Sequence, residues 1–108
     1  MTEILVVRVN CASRDEAREI AGAAIARRLA AAANIHPPID SLYRWQGKVE
    51  TVAEVPLELK TRADLFDPLA ELISEMHSYQ TPAILGIPAA KAAWTYAHWI
   101  EAETEPRT

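Results

Sequence analysis

Gln46-Gly47 stands between two runs of alternating apolar and polar residues, and this pairing restricts the fold more than any other feature of the chain. Glycine there supplies the positive φ that a tight hairpin turn needs. In the run after the turn, Val49, Thr51, Ala53, Val55, Leu57 and Leu59 fall on one face. Lys48, Glu50, Glu54, Glu58 and Lys60 fall on the other, with Val52 and Pro56 as exceptions. Alternation over that length predicts a long antiparallel hairpin, from roughly Ile39 to Lys60, with one face against a core. Pro56 cannot donate to a ladder, so it belongs at an edge or a bulge. A chain of 108 residues cannot cover such a hairpin with its own helices, so the exposed part calls for a partner and implies self-assembly.

The flanking segments fill in the order of elements. Ile4 to Val9 is a short, apolar, β-branched run of central-strand type. Ser13-Arg14-Asp15-Glu16 reads as a capping box, so a helix begins near Arg14. Its alanine-rich body turns Ala17, Ile20, Ala21, Ala24 and Leu29 inward and Arg14, Arg18, Arg27 and Arg28 to water, and it ends before Asn34 and His36-Pro37-Pro38. Leu65, Phe66, Leu69, Leu72, Ile73 and Met76 recur at helical spacing, with Pro68 in the first turn of that second helix. Ala83 to Pro88 is a further strand, Ala92 to Glu103 a final helix, and Glu105 to Thr108 a frayed tail. Strand, helix, strand, strand, helix, strand and terminal helix is the α+β, ferredoxin-like βαββαβ order: an antiparallel sheet with two helices on one face.

Composition narrows the function classes. Half the residues are apolar, which suits one globular domain over residues 1–108. The basic residues are scattered and the net charge is −4, so neither nucleic acid nor a membrane surface is an expected partner. No apolar run is long enough to span a bilayer, and Met1-Thr2-Glu3-Ile4 does not open like a secretory signal. A single cysteine, Cys11, excludes an internal disulfide and suits a reducing compartment, so the expected location is cytoplasmic.

Five segments in order resemble the CutA family of divalent-cation-tolerance proteins. They are Arg28-Leu29-Ala30-Ala31 with Asn34-Ile35, Ser41 to Glu50, Glu54-Val55 with Lys60-Thr61, His77 to Pro82, and Tyr96 to Ile100. The resemblance implies a homotrimer whose long hairpins join neighbouring sheets. It also implies binding of copper or another divalent metal ion in a tolerance role, and no enzymatic activity. A likeness to the P-II signal proteins leaves a small-molecule sensing trimer as an alternative, and a ligand-free assembly factor as another. The chain departs from the family pattern at Ala32, where a cysteine is usual, at Ser78 after the family histidine, and at Ala83, where an acid is common.

On that footing Cys11 and His77 are the expected metal ligands, a thiolate and an imidazole that suit copper or zinc. Their ordinary roles would be a buried small residue and a helix-end cap. Lys48, Lys60 and Tyr79 are the candidates for a ligand cleft that takes an anionic or nucleotide-like molecule, or else a solvated strand face. Tyr43, Trp45 and Trp99 are the expected anchors of the trimer interface. No catalytic constellation can be assembled from the sequence.

Overall fold

The computed structural model describes residues 3–105, so the tail beyond Glu105 lies outside the described residues. Five strands, β1 (Ile4–Cys11), β2 (Ala32–Ile35), β3 (Ile39–Trp45), β4 (Lys48–Arg62) and β5 (Ile84–Pro88), form the sheet. Three helices, α1 (Arg14–Ala26), α2 (Phe66–Met76) and α3 (Trp94–Glu103), complete the chain, with a 3-10 turn at Ala63–Leu65. The core sheet runs β2-β4-β1-β5, all neighbours antiparallel, and β3 pairs with the outer half of β4. This is the ferredoxin-like arrangement with its second strand split into β2 and β3.

Alternation builds the core. Leu5, Val7, Val9 and Cys11 pair with Thr61, Leu59, Leu57 and Val55 on one face of β1 and β4. Ala17, Ile20, Ala21 and Ala24 of α1 and Leu69, Leu72 and Ile73 of α2 close over that face. A second cluster joins Ala97 and Ile100 of α3 to Ile4, Ala31 and Ala89, at the end of β1 away from the hairpin. Leu85 and Ile87 of β5 lie on the face that α1 and α2 do not cover and stay exposed.

The turn is as the sequence requires. Trp45 pairs with Lys48, and Gln46 and Gly47 both take positive φ, 49° and 79°. A Cβ on Gly47 would meet nothing within 4 Å, so only backbone strain opposes a side chain there. We expect Gly47→Val to cost about 1–2 kcal/mol and to weaken self-assembly. An unchanged melting temperature and oligomer mass would contradict this.

The single chain leaves the outer half of the hairpin largely open, as its length implies, and the covered face changes along it. Val55, Leu57 and Leu59 are buried, but Val49 is 66% exposed, and Thr51 and Ala53 are open as well. The inner half alone lies under the helices. On the outer half the partly covered face is the opposite one, which carries Glu50, Val52 and Glu54 together with Ser41. Pro56 sits inside the sheet, opposite Asn10, where the facing strand is broken. Ile35 pairs with Leu57 and Ile39 with Glu54, so the β2–β3 side carries one extra residue across Pro56. The missing N–H therefore faces a bulge at His36-Pro37-Pro38, and the Pro56 carbonyl still accepts the His36 N–H at 2.9 Å.

Helix α1 ends at Ala26 rather than near Asn34, and Ala32–Ile35 is a strand. Arg28 takes φ 58°. The Arg28 N–H donates to the Ile25 carbonyl and the Leu29 N–H to the Ala24 carbonyl, which closes the helix as a Schellman motif without glycine. The Arg28 guanidinium does not simply reach water. It donates to the carbonyls of Ala102, at 2.8 Å, and Glu105, capping the end of α3. Buried Thr61 donates its hydroxyl to the Leu29 carbonyl at 2.6 Å, which satisfies an acceptor left free by the helix end.

Candidate functional site

The crossovers of the fold bring three chemically active side chains to one end of the sheet. Strand β1 ends there at Cys11, α1 starts there, and α2, running back along the sheet, ends there at Met76. Ser13 caps α1 by accepting the Glu16 N–H at 3.1 Å. The Glu16 carboxylate passes over Ser13 and accepts the Ala12 N–H at 2.8 Å, a wider loop than a simple capping box. Its other oxygen accepts the Ser78 N–H, also at 2.8 Å, so one carboxylate ties the start of α1 to the loop after α2. Candidate ligand atoms of Cys11, Glu16 and His77 all lie within 4.8 Å of one another.

Each of the three is held in a defined state. The His77 ring is buried, with Nδ1 accepting the Tyr79 N–H at 3.0 Å and Nε2 facing the Asn10 carbonyl at 2.8 Å. Since Nδ1 accepts, the proton sits on Nε2, 3.7 Å from the Glu16 carboxylate. Burial, and then the charges of Glu16 and Glu54, push the Cys11 thiol up to about 12. Burial also raises Glu16, but the Ala12 and Ser78 N–H groups, the Ser78 hydroxyl and His77 outweigh it and hold this carboxyl below its usual value.

A sulfur, a nitrogen and an oxygen donor at this spacing fit a borderline or soft divalent ion in donor type. The resting hydrogen bonds set the terms. An ion would have to displace the thiol proton of Cys11 and compete for a His77 nitrogen already engaged. Cys11 should resist alkylation in the native protein at pH 8 and react fully in denaturant, as read by mass spectrometry of maleimide-treated samples. Rapid native labelling would show the thiol to be open and ionised.

The other expected site residues are not assembled as a single cleft within one chain. Lys48 sits at the hairpin tip and Lys60 twelve positions further along β4, roughly 40 Å away at about 3.3 Å per residue. Lys60 Nζ donates to the Asn34 side chain instead. Tyr79 does face a cleft, of about 580 Å³, beneath the hairpin. Tyr43 and Trp45 line it too, while Trp99 lies on α3, where Tyr96 and Trp99 stack with ring centroids 5.9 Å apart. His98 is an exposed helical residue, packed against Trp94. Two residues the sequence reading did not assign are central here: Glu16, absorbed by its capping role, and Glu54, which has the look of a solvated strand residue yet is 5% exposed.

The family model described as "CutA1 divalent ion tolerance protein" matches residues 5–103. The mouse "Protein CutA" is 36% identical over 90% of this chain, and the "Divalent-cation tolerance protein CutA" of Thermus thermophilus is 38% identical over 92%. The chain spans 55% of the mouse protein's length, about half, and 96% of the bacterial one. A solved structure of CutA from Archaeoglobus fulgidus, described as a periplasmic divalent cation tolerance protein, superposes with a TM-score of 0.91. It is 33% identical and covers 94% of this chain and 99% of its own. By sequence and by fold, this chain belongs to the CutA1 divalent ion tolerance family.

Proposed function

We propose that the chain acts in metal tolerance as a non-enzymatic homotrimer that binds copper or another divalent ion at Cys11, Glu16 and His77. The observation that carries this reading is the convergence of those three donors within 4.8 Å at one end of the sheet. When bound, the ion supplies a Lewis-acidic charge, and the chain's contribution is to hold and release it. Because it competes with protons and hydrogen bonds, affinity is modest and falls as pH falls. A protonated, buried Cys11 and a His77 with both nitrogens engaged are poor nucleophile and base, which supports binding over catalysis.

Self-association is supported by the apolar surface a single chain leaves open: Leu42 and Val49 on the hairpin, Leu85 and Ile87 on the sheet, Trp94 and Trp99 on α3. Three-fold closure is our assignment from the family resemblance, with Tyr43, Trp45 and Trp99 at or beside the contact. The chain's net charge of −4 argues against nucleic acid as partner. Among the described residues no helix is long and apolar enough to cross a membrane. A lone, unpaired cysteine supports a cytoplasmic location.

Calorimetric titration of Cu(II) into the metal-free protein tests the ion reading. Saturable uptake is expected, weakened at least about tenfold by His77→Ala or Cys11→Ser. Uptake indifferent to both substitutions would overturn it.

A further inference from the structure

The cleft under the hairpin adjoins the ion site through Asn10 and Tyr79 but differs from it in chemistry. The strand register places Tyr43 and Trp45 on the same hairpin face as Glu54, and the loop after α2 closes the other side with Tyr79. Among the described residues lining the cleft, Glu54 is the one that carries a charged side chain, and it is more than nine-tenths buried. Lys48 and Lys60 are not among the lining residues. The surroundings thus oppose the anionic ligand that the lysines alone would suggest.

We propose that this cleft binds a small organic cation, a primary or quaternary ammonium group seated between the rings of Tyr43, Trp45 and Tyr79 and the carboxylate of Glu54. Three aromatic side chains at the cleft supply π-electron density for a cation, and the buried Glu54 carboxylate, which accepts a hydrogen bond from the Tyr79 hydroxyl, supplies the counter-charge. A polar rim of Asn10, Ser41 and Gln80 offers hydrogen bonds to a hydroxyl or amide on the rest of the molecule. At about 580 Å³ the space suits a small molecule. The two sites share Asn10 and Tyr79 as neighbours, but the cleft's carboxylate and aromatic residues are not ion-site donors, so choline binding and copper uptake are read separately.

The test is calorimetry of choline against its uncharged isostere 3,3-dimethylbutanol, on the full chain in its native oligomeric state. Choline should bind saturably and the neutral isostere at least about tenfold more weakly. Glu54→Gln and Tyr43→Leu should each weaken choline by about tenfold, while Tyr43→Phe, which keeps the ring, restores binding. Copper uptake should be unchanged in Tyr43→Leu, which also reports that the variant is folded. Equal binding of the two probes, or choline binding indifferent to both weakening substitutions, would overturn the proposal. So would an oligomer that takes up no choline, as when a neighbouring chain fills the cleft with its own lysine or arginine.

Discussion

Glu16→Ala is expected to lower the unfolding free energy by about 2–4 kcal/mol, because it removes the acceptor of two backbone N–H bonds to a charged group. Ala12 lies four residues from Glu16 and Ser78 lies 62 residues from it, so the loss unpins α1 from the end of α2. Glu16→Gln keeps one acceptor oxygen but turns an amide N–H toward the second donor, and should fall between wild type and alanine. The pH dependence has a fixed sign. The folded carboxyl titrates below its ordinary 4.5, so its contribution is fully present above that value and is lost as pH falls through the lower folded one. In denaturant titrations the gap between wild type and Glu16→Gln should therefore narrow below pH 4.5. A gap that is constant down to pH 3 would show that Glu16 is not the anchor described. Since Glu16 is also an ion-site donor, the alanine variant should lose copper affinity as well.

Gly86→Val is the second large effect. In β5, Gly86 faces the helices, and a Cβ there would lie 2.9 Å from Phe66 Cδ1, 3.0 Å from Cε1 and 3.3 Å from Leu5 Cδ1. Phe66 opens α2 and packs, partly buried, against the main cluster, so its ring has to shift out of that packing to admit a side chain at position 86. Gly86→Ala should cost about 1–3 kcal/mol by overpacking, and valine more. Trimming the ring as Phe66→Leu in the same chain should recover part of the loss. If the two substitutions simply add in thermal unfolding, the contact is not the cause.

The legible parts of the fold are those whose signals are local. Gly47 marked the turn because positive φ is a property of that residue, and the Ser13 cap needs only the next three residues. The end of α1 was hidden because Arg28 holds the left-handed position where glycine is the usual sign. What steadies that side chain is the end of α3, 74 residues away at Ala102. Ala32 to Ile35 carried helix-forming alanines into a strand because the pairing with Leu57 to Lys60 outweighs intrinsic propensity. Which face of the hairpin's outer half is partly covered was not legible, because alternation reports two faces without saying which one meets the rest of the chain.

The site follows the same division. The Cys11–His77 pair rested on resemblance to known relatives, since 66 residues separate the two in sequence. Glu16 was visible only as a cap, because its place beside both is a product of the crossovers, not of spacing. Glu54 gave little sign of burial beyond the apolar Val52 and Pro56 that flank it on its own face, because the loop that covers it, around Tyr79, comes 25 residues later.

Native mass spectrometry of the metal-free protein, followed by stepwise Cu(II), asks both questions of the functional reading in one experiment. A trimer that gains a fixed number of ions per chain, with the gain lost in His77→Ala, is the expected result. A monomer or dimer would contradict the assembly, and a trimer that takes up only scattered ions indifferent to His77→Ala would contradict the ion site.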